Sequence, residues 1–194
     1  MKKLILVLAS LIGFASVSLG FETHGDVTLS KIKEYKSFFT KSACDQVLTD
    51  TFTICYSHDR KSPTAVYVEV TGDTVEKDID KRPPFFTDKR VKKAFRTTSK
   101  DYTNTGYDRG HFGASDASHD WDKKHQKATY SMANIVPQTP FSNRYKFIAL
   151  EKHEREMAVK YGRLENVTLA YWNKRPKKIG KSQLHVPSAF AKIY

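Results

Sequence analysis

Tyr107-Asp108-Arg109-Gly110-His111-Phe112-Gly113 is followed by Asn134-Ile135-Val136-Pro137-Gln138, then by Asn143 and Glu151. The series sets one histidine, one arginine and one amide side chain in order along a short stretch. A metal-dependent phosphodiesterase needs a base, a cation and a metal ligand of these types. Phosphodiester hydrolysis requires an activated water, charge relief on the phosphoryl oxygens and stabilisation of the leaving oxygen. Imidazole titrates near neutral pH, so His111 can act as the general base.

A hard divalent cation can supply the other two requirements. Mg²⁺ keeps most of its waters and takes one or two protein oxygens. The amide oxygen of Asn143, at a helix start, suits it as the sole direct ligand. Asn143, Phe147 and Glu151 stand at i, i+4 and i+8. Glu151 therefore shares the face of Asn143 two turns on and can hold a water of the ion's shell. Arg109 can pair with a phosphate through two N–H groups. Gly110 allows a tight turn or a close approach to substrate.

Working outward, residues 64–70 alternate, with Val66, Val68 and Val70 on one face and Ala65, Tyr67 and Glu69 on the other. That pattern predicts a strand, as does the run 167–172. Residues 72–106 are rich in charge, Pro and Gly and read as a long surface excursion. Asp116 is the expected cap of a short helix reaching about Lys127. Ser142 is the expected cap of a longer one, from Asn143 to about Tyr161, with Gly162 as its stop. That helix carries Phe147, Leu150, Met157 and Ala158 toward a core, and its Glu151/Arg155 and Glu156/Lys160 pairs have i,i+4 spacing. No Gly-rich phosphate loop, internal repeat or strand–helix alternation occurs.

The chain begins with Lys2 and Lys3, an apolar run over residues 4–15, and small residues ending Ser18-Leu19-Gly20. This is the pattern of an export leader removed near Gly20. The run is too short to cross a hydrocarbon core of ~30 Å as a helix. An uncleaved anchor or a buried helix is the alternative. Residues 1–20 are therefore assigned to a signal peptide and 21–194 to one domain, periplasmic or secreted. No stable membrane association is expected after cleavage. The even count of two cysteines, Cys44 and Cys55, favours a disulfide in an exported chain. Closing so short a loop contributes ~3 kcal/mol in the chain-entropy model. Two reduced, buried thiols are the alternative.

Lys and Arg number 33 against 21 Asp and Glu, a net +12. Without Lys2 and Lys3 the surplus is +10. Such a chain favours polyanions. Basic residues concentrate in 89–100 and 174–181, with Phe85, Phe86, Phe95 and Trp172 within or beside them. Each cluster also reads as a solvated face.

Taken together, these segments resemble the DNA/RNA non-specific endonucleases of the ββα-metal (His-Me finger) superfamily, over most of residues 21–194. Asp108-Arg109-Gly110-His111 resembles the family signature. Asn134-Ile135-Val136-Pro137-Gln138 resembles its second segment, with Ala133 where the family carries serine. Asn143 follows Asn134 by nine residues and Glu151 follows Asn143 by eight, like the family's metal ligand and water-positioning glutamate. His185-Val186-Pro187-Ser188-Ala189-Phe190 is similar to a late strand of the family. Arg82, 29 residues before His111, is similar in position to a phosphate-contacting arginine. Tyr171-Trp172-Asn173 departs from the family pattern, and many members continue beyond the position of Tyr194.

The resemblance implies an α+β fold, a mostly antiparallel central sheet with packed helices, His111 at a strand end and Asn143 at the start of the next helix. It implies cutting of DNA and RNA with little sequence preference, leaving 5′-phosphate ends. The implied cofactor is Mg²⁺, with Mn²⁺ able to substitute. His111, Arg109, Glu151 and Arg82 are the implied catalytic residues. Arg109, Arg82 and Arg144 face substrate, and Asp108 and Asn134 give structural support. Two other readings stay open: a nucleic-acid-binding protein with a vestigial nuclease site, and a zinc protein using His111, His119 and His125. The last two histidines are expected on a polar, solvated helix.

Overall fold

The computed structural model describes residues 6–10 (as backbone), 39, 43–75, 81–115, 118–119 and 122–194. Its frame is one antiparallel sheet. In chain order the strands are β1 (Leu6–Ser10), β2 (Gln46–Thr49), β3 (Thr53–Ser57), β4 (Ser62–Thr71), β5 (Asp108–His111), β6 (Ile135–Gln138), β7 (Arg163–Tyr171), β8 (Lys178–Ile179), β9 (Leu184–His185) and β10 (Ala189–Ile193). The large sheet runs β1-β10-β7-β4-β3-β2, while β5 pairs with β6 and β8 with β9 in two-stranded ladders. β1 falls inside the stretch read as a leader and lies at the sheet's outer edge, beside β10. Two helices follow, α1 (Lys123–Thr129) and α2 (Ile148–Tyr161).

β4 is the centre of the fold because both its faces are covered. Val66, Val68 and Val70 are at most 1% exposed and meet Phe112, Val136, Phe147 and Phe190 in the main core. Ala65, on the other face, packs with Cys44 and Cys55, and Phe39, Val47 and Leu169 lean on that cluster. The period-two pattern at 64–70 therefore becomes a strand, though one buried on both sides near Ala65. Cys44 and Cys55 are joined in a disulfide with their Cα atoms 5.2 Å apart.

The excursion is not the surface loop its composition suggested. Asp88, Val91, Thr97, Asp101 and Tyr102 are buried in it. Tyr102 enters a second core with Met132, Ile135, Ile179, Leu184 and Val186. The Asp88 carboxylate accepts from Arg90 at 2.7 Å and from the Ser131 hydroxyl at 2.6 Å, and is held below the usual carboxylate range despite burial. Asp101 accepts from the backbone amides of Thr98 and Ser182. Side chains that read as solvating charge instead fix the loop's backbone.

Both helix starts differ from expectation. Asp116 lies outside the described residues. The short helix begins at Lys123, where the Asp122 side chain accepts from the His125 amide at 2.8 Å. For the long helix Thr139, not Ser142, provides the cap: its hydroxyl accepts from Ser142 N at 3.2 Å and its carbonyl from Asn143 N at 2.9 Å. Wider π-type turns over Ser142–Phe147 lead into α2, a distortion often found at functional sites. The helix ends as expected on Gly162, at φ 79°, where a side chain would be strained.

α2 rests on β7 and β10 through an unusual contact. The faces of these strands toward the helix carry Asn166, Thr168 and Lys192 as well as Leu164, Ala170 and Phe190, all buried. Glu154 completes the polar set. Its carboxylate accepts from Lys192 Nζ at 2.9 Å and from Asn166 Nδ2 at 2.5 Å. Both ionic side chains are 1% exposed. Beside them Phe147 meets Phe190 edge-on at 5.2 Å.

Candidate active site

The four residues of β5 sort the signature by face, since successive side chains of a strand point opposite ways. Arg109 and His111 share one face, and Phe85 from the excursion serves both. The Arg109 guanidinium lies 4.9 Å from the Phe85 ring centre and the His111 ring 5.8 Å from it. Tyr130, just after α1, meets the imidazole edge-on at 5.0 Å. His111 is thus half-buried against two aromatic rings, while Arg109 is exposed. Aromatic walls of this kind restrict an imidazole's orientation without consuming its nitrogens.

Gly110 is on the opposite face, and a Cβ there would come within 2.2 Å of the Gln138 side chain. It sits in a strand, not in a turn, and the group it must admit is Gln138 rather than substrate. Gln138 is fully buried and its Nε2 donates to the His111 carbonyl at 3.4 Å. Asn134 fixes the chain leaving His111: its Oδ1 accepts from Gly113 N and Ala114 N at 3.4 and 3.5 Å. Its Nδ2 donates to the Ala114 and Thr129 carbonyls at 2.7 and 3.0 Å.

Asp108, at the other end of β5, meets the helix. Its carboxylate accepts two N–H groups of Arg144, at 2.8 and 3.0 Å, and Nδ2 of Asn143 at 3.3 Å. The Arg144 fork, then the Asn143 bond, hold the Asp108 carboxyl below its usual range, overcoming slight burial. Because the Asn143 nitrogen is committed to Asp108, its amide oxygen is turned away and free to accept or to ligate. Arg144 is therefore spent partly on Asp108, although its side chain is still 63% exposed. Glu151 is half-buried on the first turn of α2. Burial, with the charges of Glu154 and Glu151, pushes the Tyr194 hydroxyl upward. Arg82 is exposed, three residues ahead of Phe85.

A family model for the DNA/RNA non-specific endonucleases matches residues 33–194. The chain belongs to that family. Human mitochondrial endonuclease G is 28% identical over 155 residues, covering 74% of this chain and 52% of the relative. The mitochondrial nuclease of Saccharomyces cerevisiae is 30% identical over 121 residues, 60% of this chain and 36% of the relative. A nuclease of Nostoc is 40% identical over 62 residues, covering 32% and 22%. The chain spans about half the length of the endonuclease G relatives it matches. The crystal structure of an EndoG/EndoGI complex shares the fold, with TM-score 0.71 at 24% identity, covering 86% of this chain and 74% of that one.

Among the described residues, no three His, Cys, Asp or Glu side chains converge on a metal-sized site. The histidines weighed for zinc are thus not assembled into one. His119 is not solvated as expected: it is 1% exposed, its Nδ1 is 3.1 Å from the Ser115 carbonyl, and burial pushes it down to about 4. Asn143 and nearby carboxylates do suit a hard, mostly hydrated cation, which needs few protein oxygens. Phe85 and Tyr130 are the members of the site that motif reasoning missed as such. Phe85 stood out only as an aromatic near a basic run, and nothing in its spacing ties it to His111.

Proposed function

We propose that this member of the family is an exported endonuclease that hydrolyses phosphodiester bonds of DNA and RNA with little sequence preference. It uses Mg²⁺, with Mn²⁺ substituting, and leaves 5′-phosphate ends. One observation carries the reading. The family's Asp-Arg-Gly-His strand is locked to the helix of Asn143 through Asp108, leaving the Asn143 oxygen available and His111 three residues along. Three strand residues span roughly 10 Å, so the Asn143 anchor and His111 stand at the two ends of one short strand.

In this mechanism His111 takes a proton from the attacking water, with Phe85 and Tyr130 holding the ring in place. Arg109 and Arg82 balance charge on the scissile phosphate. Arg144 adds charge from beside Asp108, and Glu151 orients solvent near Asn143. The cation, when bound through Asn143, supplies charge relief on the phosphoryl and leaving oxygens. The P–O3′ bond breaks, the phosphate stays on the 5′ side, and the 3′ oxygen takes a proton from solvent. Export is supported by the Lys2-Lys3 leader pattern and by the Cys44–Cys55 disulfide. Among the described residues no helix is long and apolar enough to cross a membrane.

The deciding experiment digests plasmid and RNA with a metal panel. Cutting in Mg²⁺, none in chelator, and a loss of ~10²–10⁴-fold in His111→Ala, the scale of a positioned general base, are expected. Binding without cutting under every metal would instead favour the vestigial-site reading.

A further inference from the structure

Two basic clusters stand out in the sequence, and the structure treats them differently. In 89–100, Arg90 is paired with Asp88 at 2.7 Å and lies 3.9 Å from Asp50. Arg96 is bound to the carbonyls of Val91 and Lys89 at 2.7 and 2.6 Å. The guanidinium groups there hold the excursion together. In 174–181, Lys174, Arg175, Lys177, Lys178 and Lys181 are all exposed, and none takes part in an ion pair with a described residue.

The second cluster is also enlarged by folding. The β8–β9 hairpin brings it against Arg60 and Lys61, more than a hundred residues earlier in the chain. Lys61 Nζ donates to the Ser182 carbonyl. The amide of His185 donates to the Arg60 carbonyl at 3.2 Å, and Arg60 lies 5.6 Å over Trp172. His185 reports the resulting field: burial first, then Lys178, Arg60 and Lys61 among its neighbours, lower its proton affinity. Only Asp59, 3.4 Å from Arg60, and Asp101, bound to the Ser182 amide, bring negative charge here among the contacts described.

This cluster borders the active-site strand. Lys177 Nζ lies 5.0 Å over the ring of Tyr107, the residue before Asp108, and its carbonyl accepts from Val186 N at 2.8 Å. It therefore adjoins the end of β5 where Asn143 is anchored. We propose that Lys174, Arg175, Lys177, Lys178 and Lys181, with Arg60 and Lys61, form a binding site for the sugar–phosphate backbone of nucleic acid. It holds the stretch of substrate that leads away from the Asp108 end of the cutting site. The exposed, unpaired cations of 174–181 suit phosphates, whose contacts position a strand without reading bases, and the half-buried Arg60 and Lys61 add positive charge beside them. Lys89, Lys92 and Lys93 are exposed as well, but no ring contact or hydrogen bond among the described residues joins them to the signature strand as Lys177 is joined, so they serve as the comparison.

The proposal rests on the nuclease reading, and its test avoids cutting. The full chain carrying His111→Ala binds a labelled 30-bp duplex in chelator between about 50 and 200 mM salt, where each phosphate contact contributes ~0.9 to the slope of log K against log salt. Lys177→Gln/Lys178→Gln/Lys181→Gln should flatten that slope by about 2 to 3 and weaken low-salt binding at least tenfold. The equally discharging Lys89→Gln/Lys92→Gln/Lys93→Gln should flatten it by less than about one contact's worth. Lys174→Gln/Arg175→Gln/Lys181→Gln is the second variant should the first fail to fold, and Lys-to-Arg changes at 177, 178 and 181 should restore the slope. Equal effects of the 177–181 and 89–93 triples, or none from the former, would overturn the proposal. An unmodified chain that binds but never cuts refutes the nuclease reading while leaving this comparison intact.

Discussion

Replacing Lys192 by Met leaves Glu154 buried without its counter-ion, and the consequence can be worked from the contacts. Glu154 is 1% exposed and holds Lys192 at 2.9 Å and Asn166 at 2.5 Å. Removing one partner of a buried pair typically costs ~3–5 kcal/mol, because the remaining charge is desolvated. That is a large part of the ~5–15 kcal/mol that stabilises a domain. For a chain of this size each kcal/mol moves the melting temperature by ~2–4 °C, so a drop of at least ~6 °C is expected. Glu154→Gln/Lys192→Met keeps an acceptor for Asn166 while removing both charges, and should recover at least half of the loss. Urea denaturation of the full chain, with the two single variants and the double, gives the cycle. The pair also sets how α2 sits on β7 and β10, and that helix carries Glu151 and follows directly from Asn143. The double variant should therefore need more Mg²⁺ for half-maximal cutting even where stability has returned. A Lys192→Met deficit below ~1 kcal/mol, the scale of a surface pair, would refute the reasoning.

Asn143→Ala should raise the Mg²⁺ requirement for cutting more than Glu151→Ala; an unchanged Mg²⁺ titration for Asn143→Ala would mean that another residue holds the ion. His119 gives a pH signature: its folded value is about 4 against 6.5 for the free side chain. Between these values the unfolded chain binds the proton and the folded one does not, so stability falls as pH drops from about 6.5 to about 4. The loss reaches ~3 kcal/mol near pH 4, and His119→Gln should show a correspondingly flatter denaturation-versus-pH curve. Mass spectrometry without reductant should find Cys44 and Cys55 in one crosslinked peptide pair, and alkylation of both thiols would reject the bridge.

Much of this molecule is legible locally. Alternating valines at 66, 68 and 70 write a strand because pleat and burial share a period of two. Phe147, Leu150, Met157 and Ala158 write one helix face, and Gly162 its end, through the same geometry. The Asp108–His111 string and its distance to Asn143 mark the site because the chemistry needs those residue types in that order. The helix starts at Thr139 and Asp122 were harder to read, since several Ser, Thr and Asp residues compete as caps and only the folded backbone selects one. The excursion misled for a related reason: Asp88 and Asp101 look like solvating charge until the backbone groups and partners they satisfy are in place.

What only the tertiary structure decided are contacts between residues far apart in sequence. The Arg144 fork on Asp108 spans 36 residues, the Lys192–Glu154 pair 38 and the Tyr107–Lys177 contact 70. No periodicity encodes such meetings. They follow from strand order and register, which the chain reaches by burying its apolar faces jointly, so that Phe190 drags Lys192 inward two residues on and β8–β9 carries its lysines to the signature strand. The sequence by itself determined which side chains could do chemistry. Packing decided which of them stand together, which charges are neutralised, and which remain exposed.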